Sequence, residues 1–418
     1  MKLKISKSAS NIALLYIMSI AQVILPLVTL PYLARIFTVS NYGVISYVKS
    51  VMVYANLIMQ FGFLLSGTRE IVEAKGNIEK IGKIVGKITQ AKLLLSVIAF
   101  IVLLIMIKTI PILNKHAIFT IIMFCQVFLD IFIYEYLFRG IEKMNIVTMR
   151  YLISKGIAVA LTFAIIRNNG DLIKIPLLDV LGSLIAVFWV NFEMKRLKIK
   201  ITFDSFNNVI SALRESSIYF ISDMSGTAFN ALNTVCVGIF LSARDVAFWA
   251  LTMQFIAAVQ SLYNPIQDGI YPEMVKKRDL KLFRKIILFF SPLVLLGCLI
   301  TFLGAPLILT IVGGEKYKAA SFLMRLSVPL LFILFLTILC GWPLLGPIGK
   351  VKEVTFSTVM GAVCQVMGLV ILVSCHLMTM FWIMVLRNLS QAVVLLMRLG
   401  YFNKYKYLYN EKKYNKKK

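Results

Sequence analysis

The sequence has few charged residues for its length. Charged side chains make up 15% of its 418 residues and hydrophobic ones 59%, whereas a soluble domain has roughly 25% charged and 45–50% apolar residues. So few charges cannot cover a water-facing surface on a chain of this length. The sequence therefore predicts a protein embedded in lipid.

Cysteine and histidine are also scarce. The six cysteines are scattered through apolar runs without C-x-x-C spacing, and only two histidines are present. This pattern argues against a disulfide framework and against a zinc site. We expect the cysteines to be small, buried apolar residues.

Signatures of soluble chemistry are missing as well. The string GPIGKV at 346–351 lacks the spacing and the hydroxyl of a phosphate-binding loop, which excludes a nucleotide-driven motor within this chain. The carboxylates predicted for the outward connections, Asp171, Asp245 and Glu315, are isolated from one another, unlike those of glycosyltransferases and polymerases. No basic patch interleaved with aromatics lies outside the apolar runs, which argues against nucleic-acid binding.

Long apolar runs dominate what is present. A helix needs roughly 20 apolar residues to cross a bilayer, and about twelve windows of that length occur. They lie near 10–33, 43–67, 86–108, 116–138, 147–167, 173–192, 214–241, 244–270, 284–312, 318–345, 353–375 and 378–398. We therefore expect an all-α membrane protein, with the first window retained as a helix rather than cleaved as a signal peptide.

The basic residues indicate orientation. Apart from Lys49, Arg325 and Arg387, we assign them to termini and connections. Most fall on one side of the predicted spans, in the N-terminus, the even-numbered connections and the C-terminal tail. Because basic residues favour the cytoplasmic side, we expect both termini in the cytoplasm of a bacterial inner-membrane protein.

The spans divide into two sets of six. The polar stretch 193–213 is predicted to be an amphipathic cytoplasmic linker between an N-terminal lobe (1–192) and a C-terminal lobe (214–400), followed by a basic tail (401–418). RIFTVSNYGVISY at 35–47 and GIFLSARDVAFWA at 238–250 are similar. Each closes the first helix of its lobe, as expected for a repeat.

Polar residues inside the spans are the candidate site residues, since an ionised group at mid-bilayer costs about 2.5 to 3.5 kcal/mol. In the seventh span Asp223, Thr227, Asn230 and Thr234 share one helical face. Such a stripe either hydrogen-bonds neighbouring helices or lines a polar cavity.

Other spans repeat this theme. The candidates there are Arg387 and Gln391 in the twelfth span, Gln126 and Asp130 in the fourth, and Gln22 in the first. Glu135 and Arg139, four residues apart, are interpreted as a local stabilising pair. Together these residues predict a transporter whose hydrated cavity contains both signs of charge.

Four strings carry a family resemblance. They are VTLPYLARIFTVSNYGVISY at 28–47, FGFLLSGTREI at 61–71, YEYLFRGIEKM at 134–144 and GGEKYKAASFLMRL at 313–326. Their order and their places at helix ends resemble the Wzx-type polysaccharide flippases of the multidrug/oligosaccharidyl-lipid/polysaccharide exporter superfamily. The resemblance covers essentially the whole chain.

The resemblance implies a fold and a function. Two six-helix lobes would form a V around a central cavity, and an undecaprenyl-pyrophosphate-linked glycan would move from the cytoplasmic to the outer leaflet for O-antigen, capsule or exopolysaccharide assembly. Arg387, Lys49 and Arg35 could offset the diphosphate, although Arg35 and Lys49 could instead anchor helix ends. No cofactor is implied beyond a proton or sodium gradient, exchanged at Asp130, Asp179 or Asp223. Implied partners are membrane lipids and the polymerase and chain-length proteins of the pathway.

Two other functions stay open. An organic-cation or drug antiporter of the same superfamily would favour an acidic cavity, whereas the residues here are mixed in sign. A polysaccharide polymerase or acyltransferase would change the mass of the glycan, whereas a flippase changes only its sidedness.

Overall fold

The computed structural model describes residues 7–409, except for the side chains of residues 7–13, 15, 222, 223, 225–230, 272 and 277. Within these residues the chain is almost wholly helical and contains no strand. The helices are α1 (Lys7–Ile36), α2 (Val39–Gln60), α3 (Phe63–Glu73), α4 (Ile78–Thr109), α5 (Pro111–Lys115), α6 (Ala117–Leu129), α7 (Glu135–Gly140), α8 (Met144–Ile165), α9 (Lys174–Arg196), α10 (Phe206–Phe240), α11 (Ala243–Ser261), α12 (Asn264–Lys277), α13 (Leu280–Gly313), α14 (Ser321–Leu326), α15 (Val328–Cys340), α16 (Trp342–Leu345), α17 (Val351–Ser374) and α18 (Met380–Tyr405). Short 3-10 turns lie at Asp130–Ile133, Asn169–Ile173, Glu315–Ala320 and Gly346–Ile348.

Capping side chains explain where several helices begin. The Thr38 hydroxyl accepts from the Asn41 amide at 3.3 Å before α2, and the Asn77 side chain accepts from the Lys80 amide at 3.0 Å before α4. Ser242 and Asp245 form a reciprocal capping box at α11. Each cap satisfies an amide that the first helical turn leaves unpaired. Thr38 and Ser242 fall within the two similar strings, so each string marks a junction between two helices.

Eleven helical stretches among the described residues are long and apolar enough to cross a membrane. The predicted span at 214–241 falls on α10, a continuous helix of 35 residues. Within it, Ala231–Phe240 is a shorter apolar stretch. The prediction of an all-α, multi-pass membrane protein is confirmed.

Two predicted spans contain breaks. The second stops at Phe61 and Gly62, both with positive φ, before α3 continues. The fourth stops at the 3-10 turn before Tyr134, whose φ is 48°. Left-handed backbone is unfavourable for a bulky residue. Close packing holds both positions, since Tyr134 is buried and the Phe61 ring stacks on Phe220 at 4.5 Å between centroids.

Packing divides the chain into two units, one ending at Ile239 and the other beginning at Phe240. In the first unit α1 packs on α8, α2 on α4, and α9 on both α6 and α8. Its core includes Phe63, Val85, Ile88 and Leu137. The lobe boundaries expected from sequence, and the V-shaped arrangement, stay predictions.

The predicted linker is mostly helical at its two ends. Residues 193–196 finish α9 and 206–213 begin α10, which leaves 197–205 as the non-helical connector. This connector lies along α4: Thr202 donates its amide to the Gly82 carbonyl at 3.2 Å, and the Gln90 amide group exchanges two hydrogen bonds with the Asp204 backbone, at 2.8 and 3.1 Å. A Cβ at Gly82 or Gly86 would overlap connector carbonyls. Glycine therefore permits this close approach.

The second unit is centred on α15, whose Leu330 and Phe335 are fully buried. The Arg398 guanidinium of α18 donates to the Ser357 hydroxyl at 3.1 Å, the Thr358 hydroxyl at 3.0 Å and the Thr337 carbonyl at 2.5 Å. These bonds join α15, α17 and α18. Arg398 is therefore a structural residue of the second unit.

The cysteines are all free thiols. Cys298 and Cys340 are buried, as expected, whereas Cys125 and Cys375 are exposed. The expectation of burial is wrong for these last two. Cys125 lies on an exposed face of α6, where lipid accepts a thiol as a protein core does, and Cys375 lies in the turn after α17.

Candidate functional site

A polar cavity of about 550 Å³ opens inside the first unit. Residues of α1, α2, α3, α4, α6, α7, α8 and α9 line it, together with the 3-10 turn between α6 and α7. Its polar lining includes Gln22, Asn56, Gln60, Lys92, Gln126, Asp130, Glu135, Arg150, Ser154, Lys155 and Ser183. We call this space the polar cavity.

Two buried cations border the polar cavity. Lys92 of α4 is only 3% exposed, and its ammonium group donates to the Gln60 side-chain oxygen at 2.6 Å. It also lies 5.4 Å from the centre of the Tyr136 ring. Arg150 of α8 is 7% exposed, and one of its guanidinium nitrogens lies 3.6 Å from a Glu135 oxygen. Burying a cation is unfavourable without partners, and these contacts offset part of that penalty.

The helix break in the fourth span positions the acidic side chains. In an unbroken helix, Asp130 and Glu135 would point about 140° apart. Because α6 ends at Leu129 and α7 starts at Glu135, both side chains line the polar cavity. Asp130 accepts from Gln126 and Ser183, each at 3.5 Å. Glu135 accepts from Arg139 at 2.6 Å, so the predicted local pair is confirmed, although Glu135 also lines the cavity.

A second pocket of about 250 Å³ adjoins the polar cavity. The two share Val53, Asn56, Gln126, Asp130 and Lys155 in their linings. The second pocket adds Lys49 of α2 and Asp179 of α9. One Asp179 oxygen lies 3.8 Å from the Lys49 nitrogen and the other 3.8 Å from the Lys155 nitrogen. We call this space the adjoining pocket.

Five residues predicted from sequence meet around these two spaces. They are Gln22, Lys49, Gln126, Asp130 and Asp179. Both signs of charge therefore line the two spaces of the first unit. Lys49, which is half exposed, contacts Asp179.

The other predicted site residues lie elsewhere or outside the described side chains. Arg35 is exposed at the end of α1, and Thr234 is buried in α10. Arg387 and Gln391 are buried in α18 of the second unit. The side chains of Asp223, Thr227 and Asn230 lie outside the described residues.

Sequence reasoning missed three cations of the site. Lys92, Arg150 and Lys155 were assigned to connections, but all three lie within helices, in α4 and α8. That assignment is wrong because a charge a few residues inside a span end was assumed to reach the interface. The signal that could have found them is their position inside apolar windows, at 86–108 for Lys92 and at 147–167 for Arg150 and Lys155. Their partners on other helices are visible only in the structure.

The site offers charge and hydrogen bonds, and it does not offer a metal cage. No group of three or more His, Cys, Asp or Glu side chains is placed to hold a metal within the part of the chain that the structure describes. Its cations can bind an anion in a partly water-excluded space, where the attraction exceeds that in bulk water. Its carboxylates can bind a cation or a proton.

Comparison with known proteins adds three findings. The profile of the family described as "Polysaccharide biosynthesis protein" matches residues 8–278. A protein of Escherichia coli (strain K12) named "Putative O-antigen transporter" is 27% identical over 342 residues, which cover 79% of this chain and 81% of that protein. A protein of Shigella dysenteriae with the same name is 25% identical over 366 residues, covering 85% and 91%.

Solved structures share the fold. An inward-facing multidrug resistance MATE family transporter of the MOP superfamily aligns with a TM-score of 0.66 at 13% identity, over 92% of this chain and 98% of that one. A MATE protein in complex with MaL6 aligns with a TM-score of 0.57 at 16% identity, over 96% and 97%. At such identities the likeness concerns the fold.

Proposed function

The chain belongs to the polysaccharide biosynthesis protein family, and from this premise we propose that it moves a lipid-linked oligosaccharide across the bacterial inner membrane. Relatives of similar length are named as O-antigen transporters, and the chain is a membrane transporter rather than an enzyme. The cargo we propose is an undecaprenyl-pyrophosphate-linked repeat unit, carried from the cytoplasmic to the outer leaflet for O-antigen, capsule or exopolysaccharide assembly.

The polar cavity carries this proposal. A diphosphate is too strongly hydrated to cross hydrocarbon unaided, and it needs cations to replace its water. Lys92, Arg150 and Lys155 supply three, and each charge-assisted hydrogen bond contributes about 1.5 to 3 kcal/mol. Gln22, Gln60 and Asn56 add neutral hydrogen-bonding groups of the kind that suits sugar hydroxyls.

An ion gradient is the proposed driving force. Asp130 lies among the cations of the cavity, where a carboxylate can exchange a proton or a sodium ion as the cargo enters or leaves. Asp179 and Asp223 are the other candidates from the sequence. Export should then stop when the gradient of the coupling ion is collapsed, with the protein still present in the membrane.

We propose that both termini lie in the cytoplasm. The connection around α3 and α4 carries Lys75, Lys80 and Lys83, and basic residues favour the cytoplasmic side. Alkaline phosphatase fused after Gly76 should then be inactive, and fused after His116 it should be active. An active fusion after Gly76 and an inactive one after His116 would show that both termini lie outside the cytoplasm.

A deletion strain tests the function. Loss of surface glycan, with intact repeat units held on the cytoplasmic leaflet, is the expected result. Unpolymerised single units on the outer leaflet would indicate a polymerase, and normal display with drug sensitivity would indicate an antiporter. Co-purification with the polymerase and chain-length proteins would test the proposed pathway partners.

Site variants test the cavity itself. Lys92→Ala and Arg150→Ala in the complemented strain should lower display at unchanged membrane abundance. The matched control is Lys83→Ala, since Lys83 lies on the same helix as Lys92 but is 55% exposed and paired with Glu79. Equal surface glycan display from all three variants would show that the polar cavity does not take part in export.

A further inference from the structure

The cations around the two spaces lie at two depths. On α8, Arg150 and Lys155 are five residues apart, which is about 7.5 Å along a helix. On α2, Lys49 and the Gln60 that binds Lys92 are eleven residues apart, about 16 Å. Lys92 lies against the Tyr136 ring, next in sequence to the Glu135 that faces Arg150, whereas Lys49 and Lys155 both face Asp179. Lys92 and Arg150 therefore belong to one depth, and Lys49 and Lys155 to the other.

Each depth also holds an internal carboxylate. Glu135 faces Arg150 at 3.6 Å, and Asp179 faces both Lys49 and Lys155 at 3.8 Å. The distances at Asp179 exceed those of a hydrogen-bonded ion pair. Asp179 therefore neutralises two lysines without binding either of them tightly, and another anion can replace it.

Resting on the proposed function, we propose that the cavity contains two successive anion stations, each occupied by its own carboxylate until cargo arrives. The first station is Lys92 with Arg150, guarded by Glu135. The second is Lys49 with Lys155, guarded by Asp179. The diphosphate of the cargo displaces Glu135 at the first station and Asp179 at the second.

Asp130 separates the two stations. It lines both the polar cavity and the adjoining pocket, and hydrogen bonds from Gln126 and Ser183 hold it in place. A negative charge there repels a diphosphate, so the anion rests on either side of Asp130 and not beside it. Two resting positions along one path allow binding strong enough for entry yet weak enough for release.

The guard role of Asp179 gives an unusual prediction for binding. Removing a carboxylate that competes for the same lysines should strengthen anion binding instead of weakening it. For purified protein in nanodiscs, with geranyl diphosphate as the probe, Asp179→Asn should bind about five- to tenfold more tightly than the unaltered protein. Asp179→Glu keeps the charge and should stay within about twofold of it.

The lysines supply the decisive control. In a Lys49→Ala/Lys155→Ala background, Asp179→Asn should no longer change the affinity, because its effect requires the cations that it releases. Glu79→Gln removes a carboxylate from the exposed Glu79–Lys83 pair on α4 and should have no effect in either background. Melting temperatures of all variants identify any that fail to fold.

The outcomes separate this inference from the proposed function. Suppose that the protein prefers geranyl diphosphate over geraniol, but that folded Asp179→Asn binds the diphosphate no more tightly. This result contradicts the two-station proposal and leaves the proposed flippase function unaffected. Tighter binding by Asp179→Asn that persists in the Lys49→Ala/Lys155→Ala background also contradicts the two-station proposal. No preference for the diphosphate, together with normal glycan display in the deletion strain, overturns both proposals.

Discussion

Replacing Lys92 with methionine separates its role in binding from its role in folding. Methionine keeps most of the length of the side chain but removes the ammonium group, its 2.6 Å hydrogen bond to Gln60 and its contact with the Tyr136 ring. A charge-assisted hydrogen bond to phosphate is worth about 1.5 to 3 kcal/mol. Diphosphate binding should therefore weaken about tenfold to a hundredfold.

Stability should change little or rise. An ammonium group 3% exposed has lost most of its hydration, and replacing a buried ion by an apolar group of similar volume is often neutral or stabilising. Gln60 is half-buried and borders the polar cavity, so water can replace Lys92 as its partner. We expect the free energy of unfolding to stay within about 1 kcal/mol of the original.

The assay is surface glycan per unit of protein in the membrane, measured beside the melting temperature of purified protein. Lys83→Met is the control on the same helix and should alter neither quantity. A Lys92→Met protein that melts many degrees lower, yet exports normally per folded molecule, would show that Lys92 is a structural residue.

Three further predictions concern other parts of the chain. Gly62→Ala should destabilise the folded protein by about 2 to 4 kcal/mol, because φ is +73° and a Cβ would lie 2.6 Å from the backbone of α10. The control is Gly76→Ala, where φ is +79° but space is open, and it should destabilise the protein by about 1 kcal/mol. Thermal melts compare the two. Arg398→Met should destabilise by about 2 to 4 kcal/mol through its three lost hydrogen bonds, while export per folded molecule stays normal. Arg387→Ala should lower glycan display at unchanged membrane abundance, and full display would remove Arg387 from the pathway.

The sequence predicted the kind of fold and part of the site. Apolar runs of spanning length gave the helices, because a bilayer requires such runs. Gln126, Asp130 and Asp179 could be recognised because each is polar within an apolar run. Their partners across the cavity could not be recognised, because these depend on which face each helix turns inward. Mean hydropathy does not contain that information.

The breaks at Phe61 and Tyr134 were not predictable from residue type. Positive φ is usually a glycine conformation, and both residues are large aromatics. Tertiary contacts impose the conformation: Phe61 stacks on Phe220, and Tyr134 is buried in the core of the first unit. The four-residue spacing between Glu135 and Arg139 predicted their ion pair. It could not show that Glu135 also lines the polar cavity, because that position depends on the break at Tyr134.

The glycine face of α4 bears on how the protein is made. The bonds between Gln90 and Asp204 close over 114 residues, so α4 leaves the ribosome well before the connector that covers it. At about 5 to 20 residues per second, synthesis takes about 6 to 23 s to deliver that connector. During this interval the backbone at Gly82 and Gly86 has no covering segment from its own chain. Slower translation between α4 and α10 should therefore lengthen the period in which the newborn protein is open to insertases, chaperones and proteases.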